Sequence, residues 1–431
     1  MTFKEDFLQL VWKYQYFEKS HLRTIRGNDL KIVQVGFHNQ SEGPDFRDSI
    51  VVIDGTTLYG HVEVHRLASD WKHHAHAGDP AYNSVVLHVV WDNDHEVLRN
   101  DGTKLPTLEL KGLIFLDIWR NYEQMLDYKS DLPCAHGLTE VPEIVRFSAL
   151  EKALVERLYE KSSLILSILK STTDDWEETA YRWLFICFGF KTNGRSMGEL
   201  SALVPYRLLQ KNREQLPLLE AILLGQAGLL PSQSDEHYVK HLIREYEFCS
   251  KKYHWDSPMK RQHWTFMGVR PSNFPTVRIT QLAAILSQAP SLLQAVMEDS
   301  KDFAGFRKFL KVQPSDYWKH HYSFGKLTDR KVSSGISNSV LQLLVINYVI
   351  PLWFAYGHFY EQVEWKERCF DLLQEIPAEN NFIIRKFVAG SWTVENAFDS
   401  QGLLGLYKNY CTPKKCLQCK VAQNLIKGES K

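Results

Sequence analysis

The chain has 431 residues, 44% of them hydrophobic and 13% aromatic, which is ample for two or three domains with large cores. Lys plus Arg equals Asp plus Glu at 51 each. No global field therefore selects nucleic acid or any other charged partner, and such contacts must come from local patches.

The opening stretch MTFKEDFLQLVWKYQYF lacks the unbroken apolar core and small-residue cleavage site of a signal peptide, so a cytoplasmic location is expected. Its apolar positions Phe7, Leu8, Leu10, Val11, Tyr14 and Phe17 predict one amphipathic helix over 3–17. Strand-like runs follow at 30–36, 48–54 and 56–65, with Asp54-Gly55 as a hairpin turn between the last two. Residues 68–84 read as a loop or short helix. VVLHVVW (85–91) reads as a strand buried on both faces, and TLEL (107–110) as one more.

From about residue 145 the texture becomes helical, and no strand alternation of similar quality recurs. The expected fold is α+β: an N-terminal α/β unit over 1–128 (helix, three strands, crossover, strand), then a larger all-helical domain over 129–431 ending in a cysteine cluster. The stretch from Pro133 to Pro142 is the linker candidate. Val340–Tyr356 is apolar but short and carries Gln, Asn and Pro, which predicts a buried core helix and no membrane span.

Seven of the 17 histidines fall between His61 and His95. On the third strand His61, Glu63 and His65 share a face, while Val62 and Val64 point to the other. The hairpin brings Asp45, just after Pro44, toward Glu63. Two carboxylates beside an imidazole suit Mg²⁺ or Mn²⁺, which can activate a water against a phosphodiester. His74 and His76 can reach the same place from the following loop. His88, inside the apolar strand, reads as a hydrogen-bonded core residue, and Trp71 as packing on the sheet. The bland alternative is a turn-capping Asp45, a solvated Glu63 and histidines scattered on the surface.

Pro44-Asp45 and Glu63-Val64-His65, in this order of elements, resemble the PD-(D/E)XK nuclease superfamily over residues 5–110. The resemblance implies a restriction-endonuclease-like unit and a Mg²⁺- or Mn²⁺-dependent nuclease. Asp45 and Glu63 would hold the metal, and His65, assisted by His74 and His76, would handle the attacking water. The chain departs from the family pattern at His65, where a lysine is usual. A catalytically inactive binding or structural protein is the alternative. Over nearly the whole chain, stretches such as GPDF (43–46), GHVEVH (60–65), DWKHHAH (70–76), RPSNFP (270–275) and YCTPKKCLQC (410–419) resemble the bacterial family called domain of unknown function 2851.

Cys411, Cys416 and Cys419 form C-x4-C-x2-C, a spacing suited to Zn²⁺ or an iron–sulfur cluster. Lys414, Lys415 and Lys420 are expected to favour thiolates. The fourth ligand is open among Cys134, Cys187, Cys249, Cys369 and a histidine. Arg261, Arg270 and Arg278, interleaved with Trp255, Trp264, Phe266 and Phe274, form a candidate nucleic-acid patch. The preferred alternative there is a loop beside a Trp-rich core. Composition leaves the oligomeric state open.

Overall fold

Acidic Glu5 and Asp6 face the positive end of the first helix, α1 (Glu5–Tyr14), and its apolar side buries Phe7, Leu8, Leu10, Val11 and Trp12. The helix stops short of the expected 17 because Gln15 turns left-handed at φ 52°. The computed structural model describes residues 4–428 apart from Gln40, Ala75, Lys129, Asp256 and Ser333.

All strands among the described residues lie between Leu30 and Glu109: β1 (Leu30–Gln34), β2 (Phe37–His38), β3 (Phe46–Ile53), β4 (Thr56–Leu67), β5 (Val85–Asp92) and β6 (Thr107–Glu109). They form one mixed sheet in the order β1-β3-β4-β5-β6, with β2 also on β3. The β1–β3 and β3–β4 pairs are antiparallel; β4–β5 and β5–β6 are parallel. The crossover between β4 and β5 carries the short helix α2 (Asp70–His73) and two 3₁₀ turns. The fold is α+β, as expected. The short β2 escaped the sequence, because two residues carry no readable alternation.

The β3–β4 hairpin turns through Asp54 at φ 47° and Gly55 at φ 80°, the two positive values that a type I′ turn needs. Nothing lies within 4 Å of a Cβ built on Gly55, so its replacement strains the backbone alone. Gly55→Ala should cost about 1–2 kcal/mol. Denaturant unfolding should show a lower midpoint at unchanged slope.

The chain makes two compact units. The first joins Met1–Glu151 with Arg385–Thr393 and Gly405–Lys431; the second takes Lys152–Ile384 and Val394–Leu404. In the first, Trp12 stacks on Phe17 at 6.2 Å and meets Phe46 edge-on at 6.5 Å, while Phe7 stacks on Tyr122 at 4.9 Å. Trp71 does pack on the sheet, in a buried cluster with Ala68, Val85, Val90, Val97 and Leu105. Pro133–Pro142 is no free linker: it holds a 3₁₀ helix, Ala135–Glu140, with Leu138 buried. In the second unit the helix Asn338–Phe359 is long and apolar enough to cross a membrane, and 72% of its apolar window is buried within the protein. Trp353 and Phe354 lie in its buried part.

Candidate metal centre

Phe46 pairs with Val62 across β3 and β4, so Asp45, one residue before β3, comes level with Glu63. The two residues clamp one another. The Asp45 backbone N–H donates to Glu63 Oε2 at 3.0 Å, and Asp45 Oδ2 accepts from the Val64 N–H at 3.0 Å. Asp45 Oδ1 accepts from Gln9 Nε2 of α1 at 2.9 Å. Glu63 is 4% exposed, and its second oxygen, Oε1, turns toward the histidines.

His65 Nε2 is the hub. It lies 3.2 Å from His74 Nδ1, 3.3 Å from His76 Nε2 and 3.5 Å from Glu63 Oε1. His76 Nε2 is itself 3.3 Å from Glu63 Oε1. The ligand nitrogens of His65, His74 and His76 all lie within 4.8 Å of one another. On the far side of its ring, His65 Nδ1 pairs with His88 Nε2 at 2.9 Å. Such a partner fixes the tautomer and aims the other nitrogen, as around ligating histidines generally. Tyr82 stacks on His76 at 3.8 Å, and Trp71 stands edge-on to His76 and His88 at 5.4 and 5.3 Å.

The electrostatics describe a site short of positive charge. Burial, then the Glu63 charge, raises Asp45 to about 7. Burial raises Glu63 to about 7 against the opposing Asp45 hydrogen bond. Burial, then Asp45 and Glu63, raises Glu5 of α1 to about 8. Burial, then His76 and His74, lowers His65 to about 3, which keeps its ring neutral and its lone pair free. No lysine or arginine is among the groups acting on these four residues. Converging lone pairs beside buried acids fit a divalent cation.

This sets a pH dependence. A cation must displace the protons that Asp45 and Glu63 hold below about 7. Affinity should fall about tenfold per pH unit for each displaced proton as pH drops from 7 to 6. Titration calorimetry in buffers of different ionisation heat should register that release. The metal-free protein should have the opposite stability trend. Its raised carboxyls bind protons more tightly folded than unfolded, so their contribution weakens as pH rises from about 4.5, the ordinary carboxyl range, to about 8, where Glu5 finishes titrating. Added metal should cancel that loss.

The structure thus gathers Asp45, Glu63, His65, His74 and His76, and it redistributes their roles. Asp45, expected as a ligand, accepts one hydrogen bond at each oxygen, from Gln9 and Val64, and its backbone N–H positions Glu63. The atoms that converge, and could hold a cation, are three imidazole nitrogens and Glu63 Oε1. That set suits Zn²⁺, Mn²⁺, Fe²⁺ or Co²⁺ better than the Mg²⁺ expected from paired carboxylates. His61 instead accepts from the Asp48 N–H at 3.3 Å, beside the β3 bulge. Glu5, Gln9 and Tyr82 were missed. The one available signal was the i, i+4 spacing of Glu5 and Gln9, which puts two polar groups on one side of the amphipathic α1.

Residues 5–382 match the family described as Protein of unknown function (DUF2851). The chain belongs to this family. No curated protein and no solved structure matches it. The span of the DUF2851 match takes in α1, the whole sheet and the imidazole cluster; Cys411, Cys416 and Cys419 lie beyond it.

Of the three arginines of the candidate patch in this DUF2851 chain, Arg278 is withdrawn into the core. Arg278 is 3% exposed in the helix Pro275–Gln288, where Nη1 donates to Gln281 Oε1 at 2.7 Å and the guanidinium stacks 5.1 Å from Phe190. Burial lowers its pKa to about 10. It is a core residue, out of reach of a phosphate. The preceding prolines explain the misreading: Pro275 starts the helix instead of breaking it. Arg261 lies over the Phe266 ring at 4.5 Å, and Arg270 is exposed just before a 3₁₀ turn.

Proposed function

We propose that this protein is a metal-dependent hydrolase of nucleic-acid phosphodiesters, with its metal held by His65, His74, His76 and Glu63. The observation that carries the reading is the convergence of three imidazole nitrogens and one carboxylate oxygen at 3.2–3.5 Å about His65 in a cation-poor setting, with His65, His76 and Glu63 buried and His74 open to solvent. The substrate class rests on the resemblance to PD-(D/E)XK nucleases: a leading helix, an Asp before one strand of a hairpin, and Glu63-Val64-His65 on the next, in a restriction-endonuclease-like unit. A bound metal supplies a polarised phosphoryl oxygen and an acidified water. The chain's own groups do the rest. The Asp45 N–H holds Glu63, the Val64 N–H holds Asp45, His88 orients His65, and the Trp71–Tyr82 wall limits solvent at His76. His65, in the lysine position, offers a neutral ring instead of a fixed cation.

Single- and double-stranded DNA and RNA should be incubated with the protein in Mn²⁺, Zn²⁺, Mg²⁺ or EDTA, beside His76→Asn. Cleavage that needs metal and is lost in the variant supports the reading. A second reading is a non-catalytic centre, favoured by an Asp45 that accepts a hydrogen bond at each oxygen and by the absent lysine. Stoichiometric metal with no cleavage of any nucleic acid would select it.

A further inference from the structure

The open fourth ligand of the cysteine motif has a place in the fold. Cys411 ends a π-helical turn, Tyr407–Cys411, and the chain then reverses through Lys414 at φ 55°, with the Lys414 N–H donating to the Cys411 carbonyl at 3.0 Å. Cys416 opens a 3₁₀ turn that the Cys419 N–H closes on the Cys416 carbonyl at 3.1 Å. Such a tight C-x2-C turn can present both sulfurs to one centre. The helix Lys420–Lys427 leaves from Cys419 and packs on α3 (Leu116–Asp127), where Asn121 Nδ2 donates to the Ile426 carbonyl at 3.2 Å. It also lies against the turn that follows Cys134: a Cβ on Gly137 would meet Leu425 Cδ2 at 2.8 Å. The first unit therefore folds Cys134 back onto the C-terminal motif, and all four cysteines are buried.

Their electrostatics agree. Cys416 and Cys419 both act on Cys134, and Cys134, Cys419 and Cys416 all act on Cys411. Burial, then these neighbours, pushes Cys134 up to about 12 and Cys416 to about 11. Lys414 lowers Cys416 only as the smallest contribution, which corrects the expectation that nearby lysines would make thiolates. Cys187, Cys249 and Cys369 have no cysteine acting on them. Cys187 and Cys369 are ordinary buried thiols, donating to the Asn347 and Ile350 carbonyls at 3.3 Å. The four grouped thiols are less tightly drawn together than the imidazole trio. Metal loading should contract them as each gives its proton to solvent.

We infer that Cys134, Cys411, Cys416 and Cys419 form a second, four-thiolate metal centre, structural in role and chemically separate from the imidazole site. It takes a thiophilic metal, either a single Zn²⁺ or an iron–sulfur cluster.

The full chain should be purified from medium containing zinc and iron, and then assayed for both metals, acid-labile sulfide and visible absorption. A mercurial thiol reagent should release metal that EDTA leaves behind. Colourless protein yielding one zinc identifies the ion; brown protein with iron and sulfide identifies a cluster, and both support the centre. Cobalt-loaded protein should show thiolate-to-cobalt charge-transfer bands, which imidazole and carboxylate ligands cannot produce. Cys134→Ser should lose the thiol-released metal, and Cys249→Ser should keep it. Should Cys134→Ser fail to fold, the wild-type protein still decides. Absence of thiol-released metal, or an intact mass short by the hydrogens of disulfides, overturns the inference. So does unaltered metal in Cys134→Ser. The cobalt bands and mercurial release read the thiols alone, so their failure leaves the hydrolase proposal standing, and the reverse holds too.

Discussion

Glu63→Gln should lower Mn²⁺ or Zn²⁺ affinity by about 100-fold or more, at least the upper range for losing a group that merely supports a ligand. The reason is specific. Among the described residues, Glu63 Oε1 is the one carboxylate oxygen paired within 3.5 Å with both His65 and His76, and Oε2 is tied to the Asp45 backbone. Glutamine keeps an oxygen for that backbone bond and removes the charge. It also removes a buried carboxylate that costs stability without a cation, so the metal-free variant should melt no lower than wild type at pH 8. Titration calorimetry and a thermal scan of the same samples separate the two effects. Unchanged affinity would rule out Glu63 as a ligand; a large drop in melting temperature would mean it serves mainly as scaffold.

Trp71→Ala carries the other large effect. The ring is 2% exposed within an apolar cluster and wedges against His76 and His88. Its removal should cost about 3–5 kcal/mol in a denaturant titration. The same change frees the rings that aim the metal donors, so metal affinity should fall as well. Trp71→Phe should recover much of both, because the indole N–H has no hydrogen-bond partner to lose. A cost near zero for the alanine variant would show that α2 is not anchored through this ring.

Asp45, Glu63 and His65 were readable because a strand and a two-residue turn convert spacing into position almost without tertiary knowledge. His74 and His76 were readable as residues able to reach the same place, but a loop has no period to fix which nitrogen each presents. Glu5 and Gln9 were hidden: many polar residues sit on helix surfaces, and only the docking of α1 selects these two. Arg278 went the opposite way. Composition registers its charge but not the Gln281 and Asn273 oxygens that make its burial tolerable. Cys134 stood beside three other cysteines and a histidine as equal candidates, because the contact between Gly137 and Leu425 joins segments that no local pattern relates.

That same contact bears on how the protein is made. The first unit includes residues from Gly405 onward, yet its strands and imidazole cluster are all synthesised before residue 110. At about 5–20 residues per second the two parts leave the ribosome roughly 15–60 s apart. Throughout that interval the faces of α3 and of the turn after Cys134 stand open, awaiting Leu425 and Ile426. A premature stop late in the message would spare every residue of the imidazole centre and still release a chain with its packing unfinished, a substrate for chaperones and proteases.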